Sequence, residues 1–124
     1  MYRILLAEDD QVMREYLARA LERSGYSVAA VDRGTAALPL LEAEAFDLLL
    51  TDIVMPEMDG IELARRAGEI APDMRVMFFT GFAAVTLKAG REMPNARVLS
   101  KPFHLRELVA EVDRLFASDI SGIN

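Results

Sequence analysis

Apolar residues in this chain come in two alternating patterns. Short unbroken runs at Ile4-Leu5-Leu6-Ala7, Val28-Ala29-Ala30-Val31, Leu48-Leu49-Leu50, Val76-Met77-Phe78-Phe79 and Val98-Leu99 read as strands buried on both faces. Between them the apolar positions recur at helical spacing. A first helix is predicted over about 11–23, with Val12, Met13, Tyr16, Leu17, Ala20 and Leu21 on its inner stripe and Gly25 as its left-handed stop. Further helices are expected near 35–44 and 60–70, the latter closed by Pro72. A last helix, about 104–117, turns Leu105, Leu108, Val109, Val112, Leu115 and Phe116 inward. Strands alternating with helices predict an α/β domain, a doubly wound parallel sheet.

Two segments fit this pattern poorly. Pro39 falls inside the second helix, where it removes a donor and crowds the preceding turn at a cost of ~3 kcal/mol, so a kink or a late start is expected. The stretch 86–95 carries Gly90 and Pro94, so the fourth helix should be short or irregular.

Composition narrows the function. At 124 residues the chain makes one domain, and its net charge of -6 argues against nucleic acid as a direct partner. The absence of cysteine excludes disulfides and thiolate chemistry and suits a reducing compartment. No apolar stretch approaches the ~20 residues that span a bilayer, and no leader is evident. A cytoplasmic domain without membrane attachment is the expectation, with residues 118–124 as a short polar tail.

The candidate chemistry lies where the runs end. Glu8-Asp9-Asp10, Asp52, Thr80 and Lys101-Pro102 each close an apolar run, and in a parallel sheet those carboxyl ends share the edge that binds ligands. An isolated strand-end Asp ordinarily caps the next helix. Three adjacent acids repel one another unless a cation screens them, and capping explains only one. With Asp52 added, the set suits Mg2+, which takes hard oxygen ligands. Carboxylates can act as nucleophiles toward phosphorus. A hydroxyl (Thr80) and an ammonium (Lys101) would then meet the charge on the phosphoryl oxygens. His104, the single histidine, reads as a structural residue at a helix start.

The ordered combination ILLAEDD, LLLTDIVMPEMDG, FFTG and LSKPF resembles the receiver domain of two-component response regulators over residues 1–117. The resemblance implies five strands in the order 2-1-3-4-5 and phosphorylation of Asp52 by a histidine kinase or histidine phosphotransferase. It implies Mg2+ held by Asp9, Asp52, the Val54 backbone carbonyl and, through water, Glu8, with Thr80 and Lys101 on the phosphoryl oxygens. The segments VMPEMDGIELARRA, TGFAAV and VLSKPFHLRELV are similar to CpdR-type single-domain regulators. That likeness implies no effector domain and output through protein contacts, as an adaptor for a ClpX-type unfoldase and its protease. It also implies no true enzyme, only autophosphorylation from a donor and slow autodephosphorylation.

The chain departs from most receivers at Val98, where an aromatic residue is usual, so the segment 82–95 is expected to carry the conformational change. Val54 and Phe82, two residues beyond Asp52 and Thr80, offer no group to orient water, which predicts a long-lived acyl phosphate. Haloacid-dehalogenase-type hydrolysis would need an acid at Val54. A pseudo-receiver would be expected to lack one of the acids or the lysine. A phosphate sink is the remaining alternative.

Overall fold

The computed structural model describes residues 1–81, 83–100 and 104–121. Five strands, β1 (Arg3–Ala7), β2 (Ser27–Val31), β3 (Leu48–Asp52), β4 (Arg75–Thr80) and β5 (Arg97–Ser100), form one parallel sheet in the order β2-β1-β3-β4-β5. The helices are α1 (Gln11–Arg23), α2 (Gly34–Ala43), α3 (Gly60–Ile70), α4 (Ala83–Glu92) and α5 (Leu105–Ser121). The expected architecture and strand order are those observed.

Strand alternation divides the core into two layers. Leu5, Leu49 and Phe78 face α2 and α3, packing with Ala37, Leu41, Ile61 and Ala64. Ile4, Leu6, Leu48, Leu50, Met77 and Phe79 face α1 and α5, against Leu17, Leu21, Leu108, Val112 and Phe116. Every residue of β3 is buried. That strand, between β1 and β4, is the rigid element from which the candidate site projects.

Helix ends follow local chemistry. The side chain of Asp10 caps α1 by accepting the Met13 N–H at 3.0 Å. Gly25, at φ 98°, ends it, with the Gly25 and Tyr26 amides returning to the Glu22 and Leu21 carbonyls. Asp59 caps α3 in the same way through the Glu62 N–H at 2.8 Å.

Three expectations need adjustment. The second helix does not start late: α2 begins at Gly34 and carries Pro39 in its interior. Pro39 is exposed there, so its ring lies on the solvent side of the helix, while the backbone goes without the hydrogen bond that an amide at this position would make. The fourth helix is short, as expected: its ten residues continue through Gly90 and end before Pro94. Glycine lowers helix stability by about 1 kcal/mol without forbidding the conformation. The last helix runs past 117 to Ser121. Val12 and Tyr16 are not on the inner stripe of α1 but 76% and 60% exposed, because a helix on a sheet buries only a limited arc.

Candidate functional site: an acidic cluster at the carboxyl edge of the sheet

The parallel register brings the ends of β1, β3 and β4 to one edge. Ala7 pairs with Thr51, and Asp52 with Phe79, so Glu8 and Asp9 leave β1 beside Asp52, and Thr80 follows one residue beyond. Carboxylate oxygens of Glu8, Asp9 and Asp52 all lie within 4.8 Å of one another. Glu8 and Asp52 are buried, at 1% and 7% exposure, while Asp9 is exposed at the mouth. Three carboxylates so close, two of them withdrawn from water, match the hard-oxygen set that a small divalent cation takes. Asp10 stays out of the cluster, since its side chain caps α1. The acid run thus divides into two cluster members and one cap.

Local structure holds each group in place. The Glu8 N–H donates to the Val31 carbonyl at 3.1 Å, tying the end of β1 to β2. The Asp10 N–H donates to Glu8 Oε2 at 3.4 Å. The Val54 N–H donates to Asp52 Oδ1 at 3.2 Å, which orients that carboxylate, and the Val54 side chain is 44% exposed beside it. The loop from Asp52 to α3 is tight. The Gly60 N–H donates to the Ile53 carbonyl at 2.7 Å, and a Cβ on Gly60 would stand 2.2 Å from the Asp52 carbonyl oxygen. Glu57 adopts φ 70° in this loop, a conformation that disfavours non-glycine residues. Neither the Gly60 contact nor the Glu57 conformation was foreseen, although the Asp59-Gly60 pair is a turn signal.

Thr80 is fully buried at the end of β4. Val98 pairs with Phe78, two residues back from Thr80, and packs partly buried against the layer that holds Phe78. Lys101, the peptide to Pro102, and Phe82 lie outside the described residues. His104 is exposed and precedes α5, where its carbonyl accepts the Glu107 N–H at 2.9 Å. Near the cluster, the Arg33 guanidinium grips Asp32 through two hydrogen bonds at 3.0 and 3.2 Å and holds that carboxyl below the usual range, with a smaller contribution from Arg14. Among the described residues no helix is long and apolar enough to cross a membrane.

A five-stranded parallel sheet in this order, with acids meeting at its carboxyl edge, defines a receiver architecture. The chain belongs to the response regulator receiver domain family, which it matches over residues 4–113. It is 61% identical over 116 residues to the response regulator receiver protein CpdR of Brucella abortus, covering 93% of this chain and 97% of that one. The receiver domain protein of Methanospirillum hungatei, described as CheY-like, superposes with a TM-score of 0.88 at 27% identity, over 98% of both chains. The response regulator TrrA of Thermotoga maritima, solved in complex with Mg(2+)-BeF, superposes with a TM-score of 0.83 at 27% identity, over 93% of this chain and 99% of its own.

Proposed function

We propose that this response regulator accepts a phosphoryl group on Asp52 and signals through contacts that differ between its two charge states. The observation that carries the proposal is the convergence of Glu8, Asp9 and Asp52 within 4.8 Å at the end of a fully buried strand. Its likeness to TrrA, described with Mg(2+)-BeF, supports the same reading.

The donor set fits Mg2+: Asp9 and Asp52 as direct ligands, the Val54 carbonyl completing them, and Glu8 acting through water. A bound Mg2+ would supply positive charge that offsets the repulsion between the carboxylates and an incoming phosphoryl group. The remaining work belongs to the protein. The amide of Val54 holds Asp52 Oδ1, so the carboxylate is presented in a fixed orientation. A carboxylate oxygen bonds to phosphorus as the bond to the donor nitrogen or oxygen breaks. Thr80 and Lys101 are assigned to the phosphoryl oxygens. The donor is a histidine kinase or histidine phosphotransferase.

For output, the 61% identity to a CpdR protein supports an adaptor role, in which the phosphorylation state controls presentation of substrates to a ClpX-type unfoldase and its protease. In this reading the receiver works in the cytoplasm, turning over phosphate slowly and only on itself. The test has two stages. Incubation with acetyl phosphate and Mg2+ should add one phosphoryl mass to the chain, and none to Asp52→Ala or in the presence of a chelator. A mass gain that survives Asp52→Ala would overturn the assignment. Pulldown on the unfoldase should then distinguish the two forms, and equal capture would refute a switched adaptor.

A further inference from the structure

Arg14 is a half-buried cation that none of the roles above uses. It lies in the first turn of α1, where its own N–H donates to the Asp10 carbonyl at 2.8 Å. Side chains on a helix lean toward its N-terminus, and Arg14 reaches back over the loop that connects β1 to α1. Its Nη1 donates to the Glu8 carbonyl at 2.9 Å and, more distantly, to the Asp9 carbonyl at 3.5 Å. These are the backbone oxygens of the two loop residues whose carboxylates enter the cluster.

From these contacts we infer that Arg14 is a positioning residue for the metal set, a clamp on the loop backbone that aims Glu8 and Asp9 at Asp52. The inference rests on the reading of the cluster as a Mg2+ site. Residue Glu8 is then fixed on three sides: by Val31 through its N–H, by Asp10 at its carboxylate and by Arg14 at its carbonyl. Without the guanidinium the two carbonyls lose a charged donor, and the loop can turn its acids apart to relieve their repulsion.

Two effects of removing Arg14 have opposite signs. Loss of a positive charge near three carboxylates would tighten binding of a cation, whereas loss of the clamp would weaken it. The inference therefore predicts the direction that simple electrostatics does not. Groups that orient metal ligands typically contribute about 10- to 100-fold in affinity.

The test is an NMR titration of amide shifts at Asp9, Asp52 and Val54 with MgCl2, on the wild-type chain, Arg14→Met and Arg19→Met. Arg19→Met removes the same charge from an exposed position farther along α1. Thermal midpoints without metal show that each variant is folded at the titration temperature. Arg14→Met should weaken Mg2+ binding about tenfold while folded, with Arg19→Met close to wild type. Affinity of Arg14→Met within twofold of wild type, or tighter, would overturn the inference and leave the Mg2+ site standing. Failure of the wild-type chain to bind Mg2+ at these amides would remove the site itself. If Arg14→Met is too unstable to titrate, Arg14→Gln, which retains a short polar side chain but cannot span the loop, carries the same expectation.

Discussion

Replacing Gly60 by alanine tests how tightly the phosphoacceptor loop is built. An added Cβ would lie 2.2 Å from the Asp52 carbonyl oxygen, 2.9 Å from the Ile53 Cα and 3.0 Å from the Asp52 carbonyl carbon. All three are backbone atoms, so no side-chain rotation relieves the clash. Ordinary contact begins at 3.4 Å, so the start of α3 and the end of β3 must separate by more than an ångström along that direction. The hydrogen bond from the Gly60 N–H to the Ile53 carbonyl, now 2.7 Å, is then lost or stretched. Overpacking of this kind costs ~1–3 kcal/mol, and the hydrogen bond adds ~1 kcal/mol. Alanine regains about 0.4–1 kcal/mol through the unfolded chain, leaving a net loss of roughly 1–3.5 kcal/mol. At about 4 °C per kcal/mol for a chain of this length, Tm should fall by roughly 4–14 °C. Circular dichroism on heating measures the fall, and acetyl phosphate loading should slow because the Asp52 backbone has moved. Gly68→Ala is the matched control. Gly68 is exposed in the same helix with nothing within 4 Å of its Cβ, and the change should stabilise by ~0.5–1 kcal/mol. A Gly60→Ala Tm within 2 °C of wild type, with normal loading, would refute the reasoning.

Pro39→Ala should stabilise the chain by about 1–2 kcal/mol in urea unfolding, because the ~3 kcal/mol helix-interior penalty outweighs the entropy that proline removes from the unfolded state. Unchanged stability would mean that α2 already accommodates the ring. Tyr26 donates a hydrogen bond to Asp113 and packs its ring near Phe116, and burial, then that bond, raises its phenol above the ordinary value of 10.0. A raised folded pKa means that its contribution is complete below the unfolded value and is lost as pH climbs toward the folded one. Tyr26→Phe should therefore destabilise at pH 7 by about 1–2 kcal/mol and flatten the decline in stability above pH 10; a steeper alkaline decline in the variant would contradict this. Val54→Asn places a polar group two residues from Asp52 and should shorten the lifetime of the acyl phosphate, measured as loss of phosphoryl mass after removal of the donor. An equal or longer lifetime would discard the water-exclusion argument.

Much of this was legible before any coordinates, for a physical reason. Strands buried on both faces leave unbroken apolar runs, and parallel pairing sends their carboxyl ends to one edge, so Glu8, Asp9, Asp52 and Thr80 could be grouped from order alone. Hydrophobicity could not tell which apolar residues of α1 face inward: Val12 and Tyr16 belong to the same stripe by type, yet the sheet covers Leu17 and Leu21 instead. The division of labour in Glu8-Asp9-Asp10 also depends on geometry, since either aspartate is a competent helix cap. Arg14 was invisible because its partners are carbonyl oxygens, which no residue type announces. Pro39 does not stop α2 because packing of Ala37 and Leu41 outweighs its penalty, which the helix still carries.

The order β2-β1-β3-β4-β5 sets which parts of the molecule can come loose first. The acid trio sits at the carboxyl ends of β1 and β3, two inner strands of the sheet, whereas β2 and β5 form the open margins. Fraying begins at margins and spreads inward at rising free energy. Peeling of the β5 side would thus spare the strands that hold the three acids together, so the cluster keeps its framework while that margin loosens.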